Sequence, residues 1–259
     1  MCGHGDRSNL SSTDVVHASG AADLTGRWLS TWMQSQQVPL WGVADLRDFA
    51  TPADAHGHRF GAAIAFALPM NKSVMASIQS GPNQAYANLY ASVNSRINTI
   101  SGDLAAALQH RGIRAQALAA SARTDTVKIR ADFPHKTAAT RAGIGWVGRN
   151  CQLITRPYGP WVRLGTVFTD YPLAEPGPAL KRSFCGTCDK CVQACPARAL
   201  QGATWFAGLD REALLDAQAC DSWKKTHYVH YHNGHNCGIC SAVCPHGLKS
   251  LETLPQSAG

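Results

Sequence analysis

The stretch Cys185-Gly-Thr-Cys188-Asp-Lys-Cys191-Val-Gln-Ala-Cys195-Pro196 decides the reading of this chain. A second run, Cys237-Gly-Ile-Cys240-Ser-Ala-Val-Cys244-Pro245, follows it, with Cys220 between the two. Eight of the ten cysteines thus lie in the last 75 residues. C-x2-C-x2-C-x3-C-P is the bacterial-type iron–sulfur run, in which three thiolates wrap one cluster and the fourth crosses to the other. The spacing assigns Cys185, Cys188, Cys191 and Cys244 to one 4Fe–4S cluster. Cys195, Cys220, Cys237 and Cys240 fall to a second. Cys220 sits far upstream of Cys237, unlike the simple run, yet it completes the count. Pro196 and Pro245 follow the crossing cysteines and turn the chain away.

Two other uses of cysteine compete. Zinc takes paired C-x2-C ligands, but successive x2 spacings followed by x3 and a proline are unusual for it. Disulfides need an oxidising compartment. Residues 1–20 hold no apolar stretch of the kind a secretory signal carries, and read as a flexible tail. No segment has the apolar length of a membrane span. The expected location is therefore a reducing cytoplasm, with no membrane partner, where such cysteines read as metal ligands.

The formal net charge is +7 over 259 residues. Each oxidised cluster with four thiolates adds about −2, so the loaded chain is near +3. Between Arg123 and Arg163 stand eight Lys/Arg against only Asp125 and Asp132. That basic run suggests an anionic partner such as a phosphate-bearing cofactor or a nucleic acid, and a solvated basic face is the competing reading.

Ahead of the cysteines the patterning is mixed. Residues 21–37 read as a helix, and Phe60–Leu68 as a buried strand ended by Pro69. Tyr86, Leu89, Tyr90, Val93, Ile97, Ile100, Leu104 and Leu108 recur at helical steps, with Gly112 as the stop. Residues 113–121 read as a strand and Lys136–Ala142 as a short helix. Residues 151–155 and 162–169 read as strands that pair as a hairpin. The proline-rich stretch 172–178 marks a boundary. The expected organisation is a tail over 1–20, an α+β cofactor or substrate domain over 21–178, and a ferredoxin-like double-cluster domain over 179–259.

Gly143-Ile-Gly145-Trp-Val-Gly148 matches the dinucleotide fingerprint by letter, but a helical segment precedes it and no helix follows. These glycines read instead as a close backbone approach beside Trp146, or as a tight turn. Cys151 belongs to neither run and is a candidate cofactor-facing thiol, against the commoner reading of a buried inert cysteine. His227, His230, His232 and His235 crowd the loop before Cys237. They are candidate proton donors or cluster-tuning groups, or simply a solvated loop.

The segment from His135-Lys136 through Gly143-Ile-Gly-Trp146-Val-Gly148-Arg149 resembles the epoxyqueuosine reductase family. Tyr158-Gly-Pro-Trp-Val-Arg-Leu-Gly-Thr-Val-Phe-Thr-Asp170, the stretch from Gly81 into the long helix, and the double run with its displaced Cys220 do so too. The resemblance covers roughly residues 25–250. It implies an N-terminal nitroreductase-like, corrinoid-binding-like α+β domain joined to a ferredoxin-like domain. Related reductive dehalogenases share that arrangement. It further implies cobalamin between the domains, reduced by the clusters, with Gly143, Gly145, Trp146, Gly148 and Arg149 as corrinoid contacts. A low-potential donor such as ferredoxin or flavodoxin, and a small-molecule or modified-nucleoside substrate, go with it.

The family's catalytic aspartate stands seventeen residues before the tryptophan of the glycine turn. Here that position is Ile129, and Asp132 is displaced from it. Its enzymes also continue beyond the second run into a tRNA-contacting region, whereas this chain stops fifteen residues after Cys244. Asp132, His135, Lys136 and Cys151 are then the catalytic candidates. Besides a corrinoid-dependent reductase, the expectations include an electron carrier for a partner's cofactor and a tRNA-binding redox protein.

Overall fold

The structure, a computed structural model, describes residues 27–170 and 177–252. The expected tail, most of the proline-rich boundary and the last residues of the chain lie outside them. The first described elements are helix α1 (Leu29–Ser35), strand β1 (Leu40–Asp45) and strand β2 (Ala62–Pro69). Helices α2 (Lys72–Ala76) and α3 (Gln84–Gln109) follow, then strand β3 (Ala115–Leu118) and helix α4 (His135–Arg141). Three strands come next: β4 (Gly145–Val147), β5 (Leu153–Thr155) and β6 (Val162–Thr169). The cysteine-rich part holds short helices: α5 (Lys190–Gln193), α6 (Ala217–His227), α7 (Ile239–Ala242) and α8 (Pro245–Glu252).

The main sheet is antiparallel, in the order β1-β2-β6-β3. Its two faces are coded differently along β2. Ile64, Phe66 and Leu68 point to one side and pack with Leu29, Met33, Ile97, Ile100 and Leu104 of α1 and α3. Ala63 and Ala65 point to the other, where Ala138 and Ala142 of α4 lie against Phe133 and Phe168. Large side chains thus hold the long helix at a distance, and alanines let the short one approach. The alternation is the period-2 pattern of a strand covered on both sides. Asn83 caps α3 by accepting from the Tyr86 amide at 2.9 Å.

The expected hairpin of residues 151–155 with 162–169 does not form. β5 pairs with β4 in a separate two-stranded sheet, while β6 crosses into the centre of the main one. The reason lies in the tight turn between them. Thr155 and Gly159 bridge each other's backbone, which spends the edge of β5 on its own turn, and Trp161 is buried beyond it. Strand β1, which carries no strong period-2 signal, takes the edge beside β2. Among the described residues no helix is long and apolar enough to cross a membrane.

At the centre of the sheet, Gly165 of β6 stands opposite Phe66. A Cβ there would lie 2.1 Å from Phe66 Cζ, and Phe66 is fully buried. Gly165→Ala therefore forces the ring off its rotamer, and denaturant unfolding should show a loss of about 1–3 kcal/mol.

Candidate functional site

The cysteine-rich part is organised by its thiols. Cys191 lies in α5, Cys220 in α6 and Cys240 in α7, with Cys244 at the junction of α7 and α8. Asp216 caps α6 by accepting from the Ala219 amide at 2.9 Å, and so sets Cys220 one turn inside the helix. The thiols then fall into two groups. Burial pushes the Cys191 thiol up to about 11, and negative charge on Cys244, Cys185 and Cys188 adds to the rise. Burial likewise pushes Cys244 up to about 11, with Cys185 and Cys188 contributing. Around Cys240 burial comes first, then Cys237 and Cys220, then Cys191 of the other group and Cys195. Cys195 acts on both Cys220 and Cys237. Thiols that sense one another in this way are close neighbours. The members of each group come from both runs, as the crossing pattern requires.

Backbone amides already serve these sulfurs. Those of His246 and Gly247 work to lower the Cys244 thiol, and that of Ile239 works to lower Cys237, each against a larger rise from burial. Ala199 N–H donates to Cys195 Sγ at 3.4 Å. Among the described residues, no three His, Cys, Asp or Glu side chains close on one point at the range of a single metal ion. Two further observations fit a polynuclear occupant. Trp146 Nε1 is buried without a partner, and its ring packs with Cys244 and Cys185. Both side-chain polar atoms of Asn236, beside Cys237, are likewise buried and unpartnered.

The second group opens on a cavity of about 180 Å³. Cys195, Cys220, Cys237 and Cys240 line one side, and Tyr86, Tyr90 and Arg163 of the α+β part line another. A second cavity of about 170 Å³ adjoins it, walled by Ser121, His135, Lys136 and Leu164. Gln152, Pro160, Val162 and Arg163 border both, so the two form one cleft. Arg163 is its hinge point. The guanidinium bonds Tyr90 Oη and Asn94 Oδ1, each at 3.0 Å, reaches Ser121 Oγ, and lies 4.2 Å over the Tyr90 ring. Burial works to raise the Tyr90 phenol, but Arg163, Ser121, Asn94 and Lys224 together outweigh it and hold the phenol below its ordinary value.

The candidates from the sequence are placed unequally. His135 and Lys136 line the cleft. His135 Nδ1 meets Thr166 Oγ1 at 2.9 Å, and Lys136 reaches the Cys151 carbonyl and lies 3.2 Å from its Sγ. Cys151 itself is buried beside Val147 and Leu214, among the residues that line neither cavity. Asp132 is exposed and accepts from Thr124 Oγ1 at 2.7 Å, and Ile129 sits at φ 51° on the same surface turn. The glycine turn faces protein. A Cβ on Gly145 would lie 2.3 Å from the Ile154 carbonyl, and one on Gly143 3.0 Å from that of Pro178. Arg149 donates to the Gly202 and Gly186 carbonyls at 2.6 and 2.9 Å. Gly143, Gly145, Trp146, Gly148 and Arg149 thus pack the first thiol group against the α+β part, and line neither cavity.

The basic run is largely spent inside the molecule. Arg123 pairs with Asp221 at 2.9 Å, Arg141 with Asp48 at 2.6 Å and Arg130 with Asp125 at 3.6 Å. Of the loop histidines, His235 lines the first cavity, His232 lies 5.5 Å from Tyr90, and His227 stacks on Trp223. Tyr90, Arg163 and Asn236 are site residues that sequence reasoning missed. Tyr90 reads as one more member of an apolar helical stripe, Arg163 as one of eight cations, and Asn236 carries no motif.

Known proteins share these features. Residues 184–247 match the family model of the 4Fe-4S double cluster binding domain. An epoxyqueuosine reductase of Listeria monocytogenes is 36% identical over 117 residues, covering 42% of this chain and 28% of that protein. The catabolic reductive dehalogenase NpRdhA, solved with 3-bromo-4-hydroxybenzoic acid, superposes with a TM-score of 0.59 at 19% identity. That match covers 81% of this chain and 30% of the other. A crystal structure of epoxyqueuosine reductase superposes at 0.54 and 19% identity, covering 86% and 66%. The fold is therefore mixed α and β with a ferredoxin-like iron–sulfur part. The chain is similar to epoxyqueuosine reductases over part of its length and carries a match to a double 4Fe-4S cluster binding domain. It spans less than half the length of the curated relatives it matches.

Burial holds His135 down to about 4, from an ordinary 6.5. The unfolded chain therefore takes up a proton as pH falls below about 6.5, while the folded chain resists until about 4. Stability present above that window is lost across it, at up to about 1.4 kcal/mol per pH unit. His135→Gln should flatten this part of the stability–pH curve and leave it unchanged above pH 7, as read by urea unfolding.

Proposed function

We propose that the chain is an oxidoreductase that carries electrons inward through two 4Fe–4S clusters to an acceptor in the cleft. Cys185, Cys188, Cys191 and Cys244 hold the outer cluster, and Cys195, Cys220, Cys237 and Cys240 the inner one. The observation that carries this reading is that the second thiol group forms one wall of the cleft while Tyr90, His135, Lys136 and Arg163 form the others. The first group lines neither cavity and lies beside the exposed Phe184. A low-potential donor such as ferredoxin or flavodoxin supplies the outer cluster.

The acceptor is a corrinoid, as the resemblance suggests. Each cavity is smaller than the 300–1,000 Å³ of an enclosing small-molecule site, so neither alone would enclose a macrocycle. Bound at the cleft, a corrinoid supplies a strongly reducing cobalt centre. The residues that would hold it are Gln152, Arg163, His135 and Lys136, in place of the glycine turn. Arg163 fixes the Tyr90 phenol at 3.0 Å and favours its ionised form, which makes Tyr90 the proton source on this wall. His135, neutral above pH 5, serves as a hydrogen-bonding group. The substrate is a small molecule or a modified nucleoside.

A second reading has its own support. With Ile129 and Asp132 on a surface turn, away from both cavities, no carboxylic acid of the described residues lines the cleft. That favours an electron carrier for a partner's cofactor. The spending of basic residues on Asp221, Asp48 and Asp125 removes much of the charge on which tRNA binding would rest.

Two measurements test the proposal. Cys220→Ser should remove the inner cluster alone, so that anaerobically purified protein keeps about half its iron and a single uncoupled EPR signal on reduction. Hydroxocobalamin added to the reduced protein should be reduced with new corrinoid bands, and Arg163→Met should weaken its binding about tenfold or more. An unchanged corrinoid spectrum would leave the carrier reading standing.

A further inference from the structure

Asn236 and Trp146 are buried polar side chains whose hydrogen bonds go nowhere in the protein. Asn236 is 1% exposed and Trp146 3%, and neither the Asn236 amide nor the Trp146 indole N–H has a partner. Leaving such a group unpaired costs about 1–3 kcal/mol, so native folds supply it with a partner or a ligand. Their positions differ in a telling way. Asn236 precedes Cys237 and lines the cavity that holds Cys195, Cys220, Cys237 and Cys240. Trp146 packs on Cys244 and Cys185 of the other group. Each thiol group therefore has an orphaned, fully buried side-chain N–H beside it, and the half-buried Trp223, whose Nε1 also lacks a partner, borders the same cavity as Asn236.

We infer that Asn236 donates its side-chain amide to a sulfur of the inner cluster and that Trp146 donates its indole N–H to a sulfur of the outer cluster. Each thereby raises the reduction potential of its own cluster. The inference rests on the reading that the eight cysteines hold two clusters. A cluster gains one negative charge on reduction, and a hydrogen bond to its sulfur stabilises the reduced form more than the oxidised one. The effect is local, because each donor adjoins one group only. Trp146 is then a tuning residue in the glycine turn, and the glycines around it serve to let the ring reach the outer cluster.

The test is an EPR-monitored redox titration of the holoprotein purified without oxygen, with iron counted in every variant. Trp146→Phe keeps most of the ring and removes the N–H. It should lower the outer midpoint alone, by about the 59 mV that marks a tenfold change for one electron. Asn236→Leu should lower the inner midpoint alone by a similar step. Asn236→Asp, of the same shape without the donor at neutral pH, should do so where the leucine variant fails to fold. Exchange into deuterated buffer should shift the Fe–S stretching bands of the parent protein, and less in each variant. Full iron content with both midpoints unmoved would overturn the inference and leave the cluster reading intact. Equal shifts of both midpoints in either variant would also overturn it, since they would report a general change in packing. Absence of iron and of any cluster signal from the parent protein would sink the cluster reading itself.

Discussion

The constraint on which the rest depends is the gathering of eight thiols, Cys191 and Cys244 buried and the others half-buried, in the cysteine-rich part. Burial and mutual repulsion both push the thiols of Cys191 and Cys244 up to about 11. Bare thiolates would not stay together under these conditions. A metal core deprotonates the thiols outright and neutralises much of their charge. The cysteine-rich part has little else to hold it. Its helices are four to eleven residues long, and its small apolar clusters are centred on Trp146, Cys244, Cys151 and Leu214. Iron binding and folding of this part are therefore one process.

The two parts of the chain are joined by large rings pressed into the thiol-bearing helices. Trp161 is 1% exposed, and its indole N–H donates to the Ser241 carbonyl at 2.9 Å. Trp146 lies between Phe184 and His246, with ring centroids 5.3 and 5.2 Å away. Trp146 lies within the β4–β5 hairpin and Trp161 follows it, and this hairpin belongs to neither the main sheet nor the helices around the thiols. The charged contact between the parts is Asp221. Burial opposes its ionisation, yet Lys225 and Arg123 outweigh burial and bring it down to about 2. Arg123 comes from the α+β part, and Asp221 follows Cys220 directly in the chain. The inner thiol group is thus braced by the same contact that seats the two parts together.

How far the sequence spoke follows from what each signal depends on. The double-cluster domain was legible because ligand spacing is a local property with few alternatives, and the long helix because its apolar stripe from Tyr86 to Leu108 repeats for about six turns. Strand β6 was legible as a strand, but its partners were not. Pairing depends on β2 and β3, which are far off in sequence, and the nearby Pro157-Tyr-Gly-Pro160 turn pointed to the wrong neighbour. The glycine turn was legible as a place of close approach, though not as to what approaches. Ile154 and Pro178 fill that space, and no periodicity encodes them. Tyr90 and Arg163 were hidden for a related reason. A tyrosine on an apolar stripe looks like core until the arginine of a distant strand is found stacked on its ring.

The placement of the two thiol groups bears on the choice between a carrier and a reductase. A protein that only relays electrons gains from having its last cluster near the surface, where a partner can approach. Here the group beside exposed Phe184 is the first one, and the other is turned inward onto a cleft. That cleft is not simply a gap between packed surfaces. Arg163 spends its donors on Tyr90, Asn94 and Ser121, which fixes a phenol at its mid-point, and Lys136 is anchored to the Cys151 backbone at its far end. Ordering long cationic side chains around a cavity costs conformational entropy. A structure that only passed electrons outward would have no use for it. On the proposed reading, the carboxylate missing at Ile129 moves proton delivery to another group on the cleft wall. It does not remove the reason for the cleft.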